Sequence, residues 1–241
     1  MKLRGVLGAI LALLCLVAMV LALMPLRLAF AWWAPDGLTA GDVAGSIWAG
    51  RARNLRYRAA MLGDVDVALQ PLALVQGDMA WRLTRSGDAP LQLTLASAIG
   101  SDTIGITGLN GRITLSQDAA RALPIGVSVD AINFQDFSLI YGGSGCAAAS
   151  GRVQVAPQLP IAAFTLGYGL SGEVACDDGT IRLPLRGQSG MERVDLRIAP
   201  DGRYVARFSL AADTPDMARA LGALGLAQGA DGFGVTYRGR F

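Results

Sequence analysis

From about residue 50 to the C-terminus, apolar and polar positions alternate with a period of two. In Gly108–Ser116, Leu109, Gly111, Ile113 and Leu115 share one face, and Asn110, Arg112, Thr114 and Ser116 share the other. Ile181, Leu183 and Leu185 alternate with Arg182, Pro184 and Arg186. Val194, Leu196 and Ile198 alternate with Asp195 and Arg197. Tyr204, Ala206, Phe208 and Leu210 alternate with Arg203, Val205, Arg207 and Ser209. Successive side chains of a strand point to opposite sides, so each run has one apolar and one wet face, the mark of antiparallel sheet with a single buried side. Glycine punctuates the runs: 31 of the 241 residues are Gly, well above the usual level of about 7%. Asp178-Gly179, Asp201-Gly202, Gly142-Gly143 and Asn110-Gly111 are read as turns that admit positive φ. The expected fold is mainly β: a curved antiparallel meander, trough- or sandwich-like, with sequential strands paired.

Two stretches break the period. Thr214 as cap, Pro215 at the first helical position, and Met217, Leu221 and Leu224 at helical spacing predict a short C-terminal helix ending at Gly225, before a last strand Phe233–Arg240. A weaker helix or turn covers Leu72–Val75. Gly-rich Tyr141–Gly145 reads either as a divide between two sub-sheets or as a simple turn.

The N-terminus has no alternation at all. Gly5 to Leu26 is a run of 22 residues without a charge. As a helix it reaches about 33 Å, enough for a hydrocarbon core of about 30 Å. Lys2 and Arg4 precede it, so residues 1–4 are expected in the cytoplasm, residues 5–26 across the membrane and residues 27–241 in the periplasm as one β domain. Trp32 and Trp33 suit the outer interface. The alternative is a leader cleaved after Ala31, since Ala29-Phe30-Ala31 has the A-x-A form. A leader's apolar region is usually only about 7–15 residues, which favours the retained anchor.

Charge and composition narrow the function. With Lys2 and Arg4 removed from the 21 basic residues, 19 remain against 19 acids, so no net basic field is left for nucleic acid. Hydrophobic residues make up 52% and charged residues 17%, which excludes a disordered chain. There is no histidine, so the commonest general base and metal ligand are missing. Asp64 and Asp66 share a strand face, but without a nucleophile or ligand beside them they read as a solvated face. Asp177-Asp178-Gly179 is a turn without calcium-loop spacing. Gly142-Gly143-Ser144-Gly145 is not a nucleophile elbow. No catalytic, cofactor or metal site is expected, and the chain is read as a non-enzyme.

Cys15 lies in the membrane run and reads as a small packing residue, lipidation being the weaker alternative. Cys146 and Cys176 lie in an oxidising compartment and are read as one disulfide, the alternative being two buried thiols; a zinc site lacks ligands. Trp48 and Trp81 are candidate interaction anchors, though their apolar neighbours also suit a core.

The stretch Gly45-Ser46-Ile47-Trp48-Ala49-Gly50, then Leu69, Pro71, Leu72 and Gly77, resembles the type II secretion system protein N family. Members of that family show a G-T/S-hydrophobic-W-x-G motif after the anchor. Ser46 stands where threonine is common, and Ala68 stands near a position usually held by tryptophan. Cys146, Gly151-Arg152-Val153, Leu170–Gly179 with its Cys176, Leu185-Arg186-Gly187 and Asp201-Gly202-Arg203-Tyr204 follow in the family's order, and Gly234–Gly239 suits its closing strand. The resemblance spans nearly the whole chain. It implies an accessory inner-membrane component of the general secretion pathway, which moves folded proteins across the outer membrane. The implied partners are platform or secretin components. A more distant similarity to AsmA-like envelope proteins implies an alternative, lipid binding or transfer in an apolar β groove.

Overall fold

The computed structural model describes residues 12–13, 16, 19–20, 22–98, 100–116, 128–158, 169–223, 225–229 and 232–240. Among these residues sixteen strands form one antiparallel sheet, with neighbours in space almost always neighbours in sequence. The N-terminal part holds β1 (Leu38–Thr39), β2 (Asp42–Gly45), β3 (Gly50–Tyr57), β4 (Ala60–Leu69), β5 (Asp78–Arg85), β6 (Leu91–Ala98) and β7 (Ile104–Leu115). A long hairpin, β8 (Ser128–Gly142) and β9 (Gly145–Gln158), follows. The C-terminal part holds β10 (Leu170–Glu173), β11 (Ala175–Asp177), β12 (Thr180–Gly187), β13 (Glu192–Ile198), β14 (Arg203–Leu210), β15 (Ala227–Gly229) and β16 (Gly232–Arg240). Among the described residues, α1 (Leu26–Trp33) precedes the strands, and α2 (Pro71–Val75) and α3 (Pro215–Ala223) interrupt the meander.

Turn chemistry explains the connections. Asp178 and Gly179 have φ of 48° and 75°, the two consecutive positive values that a tight hairpin with right-handed twist needs. They join β11 to β12. Gly142-Gly143 lies at the β8–β9 turn, so Tyr141–Gly145 turns the chain within one sheet. α3 starts where expected, with the Met217 amide donating to Thr214 Oγ1 at 3.2 Å. Gly225, at φ 81°, follows its end, and Leu221 is buried beneath it. Leu224 and much of the strand-like run 163–175, its residues 163–168, lie outside the described residues.

Asn110-Gly111 is not a turn. Both residues lie inside β7. The Asn110 side chain reaches across to β8, accepting from the Asp136 amide and donating to Asp136 Oδ1, each at 2.8 Å. Asp136 has φ 47° and sits at a register shift between the two long hairpin strands. A Cβ on Gly111 would fall 2.2 Å from the Pro90 carbonyl oxygen. The dipeptide therefore serves an irregularity in the sheet, not a reversal of the chain, and the unbroken alternation through it reflects that.

The two halves of the sheet bury apolar surface differently. In the first half β4 pairs β5, β5 pairs β6, β6 pairs β7, and β7 returns to pair β4 through Ala60↔Leu115 and Met61↔Thr114. This closed circuit encloses a core of Leu62, Val65, Leu83, Leu91, Leu93 and Leu109, extended by Ala52 and Leu55 of β3. Arg85 fastens the circuit: its guanidinium donates to the Leu62, Ala89 and Arg112 carbonyls. In the second half, the apolar side of β12, β13 and β14 is mostly half-buried, with Leu185 and Leu210 fully covered, while Arg186, Arg193, Arg197, Arg203 and Arg207 are exposed on the other side. The expected wet face is present there, and the apolar face is only partly covered. Among the described residues, the helix of that half is α3, which packs on β16.

The described part of the N-terminal run is helical, with Leu13, Leu16, Met19, Val20 and Leu23 exposed. Among the described residues no helix is long and apolar enough to cross a membrane. The full span expected over residues 5–26, Cys15 included, lies largely outside them.

Candidate functional site

The surface is best read from the point where the apolar run enters the domain. After Pro25 the chain forms α1, whose Leu26 and Ala29 are buried with Ile47 and Leu69. The Ile47 amide donates to the Met24 carbonyl at 3.1 Å, and the Leu69 amide donates to the Ile47 carbonyl at 2.7 Å. Pro25 also bridges Ser46 in antiparallel fashion. The Gly45–Gly50 motif is thus the socket for the end of the N-terminal segment. Its glycines are required sterically: a Cβ on Gly50 would lie 2.4 Å from Leu26 Cδ2 and 2.8 Å from the Ser46 carbonyl oxygen, while Gly45 takes φ 86°. Trp48 and Trp81 are half-buried against this same cluster, where they serve packing.

Next to the socket, α2 turns Leu74 into the cluster and leaves Leu72 and Val75 exposed at 79% and 87%. Three residues apart, these two share an outward face. No charged residue lies between Asp66 and Asp78.

The carboxylates that share a strand face are both engaged structurally. Asp66 Oδ1 accepts from Arg51 Nε at 2.8 Å, a contact that raises the Arg51 pKa through the hydrogen bond first and the charge second. Asp64 Oδ1 accepts from the Asn54 amide at 2.8 Å. Among the described residues no cluster of three metal-ligating side chains occurs.

Cys146 and Cys176 form a disulfide, with Cα atoms 5.6 Å apart. Its placement follows from the ladder. β10 pairs β9 only from Arg152 to Val155. Past Glu173 the chain jogs at Val174, and β11 pairs β12 alone. The first part of β9 then meets the β11–β12 turn through one isolated bridge, Cys146↔Gly179, and meets Val174 where its amide donates to the Gly151 carbonyl at 3.0 Å; the disulfide ties β9 to β11 between these contacts.

The feature least visible in the overall charge is a basic sheet face. Register sets Arg182 opposite Arg197, Arg186 opposite Arg193, and Arg203 opposite Arg240. Arg207 and Arg238 lie on the same side. Asp195 is the one acid on this face of β12, β13, β14 and β16, lying 3.4 Å from Arg182 and 3.6 Å from Arg197; Asp201, in the β13–β14 turn, pairs with Arg203. A groove of about 430 Å³ lined in part by Arg182, Arg186, Arg193 and Arg207 runs beneath β15. The whole-chain balance concealed this segregation. Alternation put each arginine on its strand's polar side, but only the register assembles them.

Comparison with known proteins agrees with the motif order. Residues 36–236 match the family described as Type II secretion system (T2SS), protein N. The chain belongs to that family. It is 29% identical over 210 residues to a Type II secretion system protein N from Vibrio cholerae serotype O1 (strain ATCC 39315 / El Tor Inaba N16961), covering 81% of this chain and 79% of that protein. No solved structure matches. Family membership makes the chain a type II secretion component, and the socket motif and the paired cysteines both fall within the matched span.

Proposed function

We propose that this protein is an accessory inner-membrane component of the type II secretion system that aids transport of folded proteins across the outer membrane by contacting platform or secretin components. In this reading residues 5–26 anchor it, with the N-terminus cytoplasmic and residues 27–241 periplasmic. The observation that carries the reading is the socket: Leu26 and Ala29, at 4% and 3% exposure, belong to the domain's own core. Cleavage after Ala31 would remove both from that core, which supports retention of the segment. Leu72 and Val75 emerge beside it, a suitable place for lipid contact.

The test is a deletion strain complemented with variants. Secretion of a folded substrate falls in the deletion and returns with the wild-type chain and with Asp64→Asn/Asp66→Asn, since no chemistry is assigned to those carboxylates. Normal secretion without the protein would refute the role. The intact mass of the chain from membranes reports retention of the anchor.

One observation favours a second reading. The apolar face formed by Ile181, Leu183, Val194, Leu196, Ala206 and Phe208 is only half-buried, which suits lipid binding in the AsmA manner. Native mass spectrometry of the detergent-extracted chain decides: copurified phospholipid supports lipid binding, and a ligand-free protein opposes it.

A further inference from the structure

The two ends of the sheet are finished differently. At the N-terminal end, β3 is covered by β2 from Gly50 to Arg53 and by β1 at Arg56 and Tyr57. At the C-terminal end, β15 pairs only Gly232, Phe233 and Gly234 of β16. Val235–Arg240 pairs β14 on its inner side and has no strand on its outer side among the described residues. This open stretch is six residues long, about 20 Å. Every second residue of such an edge turns its N–H and C=O outward, ready to pair with an incoming strand.

The side chains along the edge specify what would dock. Thr236, Arg238 and Arg240 are exposed on the basic face; Val235, Tyr237 and Gly239 are half-buried on the apolar face. Behind the edge stand three arginine pairs placed directly opposite each other. Like charges in that position destabilise a sheet, and the acids facing them are Asp195 on the same face and Asp201 in the β13–β14 turn. A second copy of the chain is disfavoured as occupant. Antiparallel pairing through Thr236–Arg240 of both copies, with faces matched, sets Arg238 against Arg238.

We propose that Val235–Arg240 of β16 receives an extended segment of a partner protein in which acidic and apolar residues alternate, adding a strand with its carboxylates over the arginine face and its apolar side chains beside Val235 and Tyr237. This names the contact chemistry for the partner inferred above and rests on that reading only for the partner's being a secretion component. Peptide binding is measured on the purified chain and secretion in cells, so either can fail alone.

The test uses the full chain in nanodiscs and two fluorescein-labelled hexapeptides, one alternating valine with glutamate and one alternating valine with lysine. Anisotropy is expected to show binding of the glutamate peptide and not of the lysine peptide. Hydrogen exchange should show protection concentrated in Val235–Arg240. Arg238→Glu/Arg240→Glu should weaken the glutamate peptide on the order of tenfold or more, because two exposed pairs turn from attraction to repulsion, and should gain the lysine peptide. Arg238→Gln/Arg240→Gln should fall between. Circular dichroism checks that each variant keeps its sheet. No binding, binding without β16 protection, or an unchanged charge preference in the reversed variant each overturns the proposal. Binding of phosphatidylglycerol vesicles in place of the peptide also overturns it.

Discussion

Removing the Cys146–Cys176 bond offers the most quantitative test of how this sheet is held. The two residues are 30 apart in sequence. Closing a loop of about thirty residues lowers the entropy of the unfolded chain by about 12 cal/mol/K, or about 3.6 kcal/mol at 25 °C. The bond also lies where the ladder is thinnest, between the first part of β9 and β11. Cys146→Ala/Cys176→Ala should therefore lower the unfolding free energy by about 3–4 kcal/mol. With a urea slope of about 2–3 kcal/mol/M for a domain of this size, the midpoint moves down by about 1–2 M. Urea unfolding of the full chain in detergent, followed by circular dichroism and by tryptophan fluorescence, measures it. Hydrogen exchange should show residues 145–151 opening first in the variant, while β9 from Arg152 onward stays protected by β10. A midpoint shift below about 0.3 M, with the bond shown by mass to be present in the wild type, would refute the entropic argument. Uniform loosening of β8 to β12 would refute the local one.

Other perturbations probe the socket, the closed circuit and the surface. Gly50→Val should displace Leu26, destabilise by about 1–3 kcal/mol and speed tryptic cleavage after Arg27. Leu91→Ala, at a site 2% exposed, should cost about 2–5 kcal/mol, read as a lowered Tm. Arg85→Gln should remove the clasp over three carbonyls, cost about 1–3 kcal/mol and raise hydrogen exchange in β4 and β7; Arg85→Lys should not restore it, since an ammonium lacks the planar fork. The Asp201 carboxyl should titrate below its ordinary value by NMR, held there first by the Arg203 backbone amide and then by the Arg203 and Arg240 charges. Because its folded pKa is lowered, its contribution to stability is present above the unfolded carboxyl pKa and fades as pH falls through the folded one.

Local stereochemistry is written in adjacent residues, and that part was legible. Alternation places side chains on faces whatever the partner strand, so the strands around Leu109, Leu183, Leu196 and Ala206 could be read directly. Thr214-Pro215 and Gly225 bound a helix through their own backbone preferences. Asp178-Gly179 makes a hairpin because both residues accept positive φ. Asn110-Gly111 carries a similar signal and does something else, because whether a flexible pair turns or bulges depends on the strand beside it, here Asp136 of β8.

The sequence by itself determined the element types, the apolar N-terminal run, the pairing of Cys146 with Cys176 and the family. Tertiary structure decided the rest. It returned β7 to β4 and enclosed a core in the first half. It made Gly50 a seat for Leu26. It also gathered arginines from β12, β13, β14 and β16 onto one face of a chain whose charges nearly cancel. The physical reason is that period-two alternation fixes which side a residue takes, whereas contacts between residues tens of positions apart depend on register and curvature, which no single strand contains.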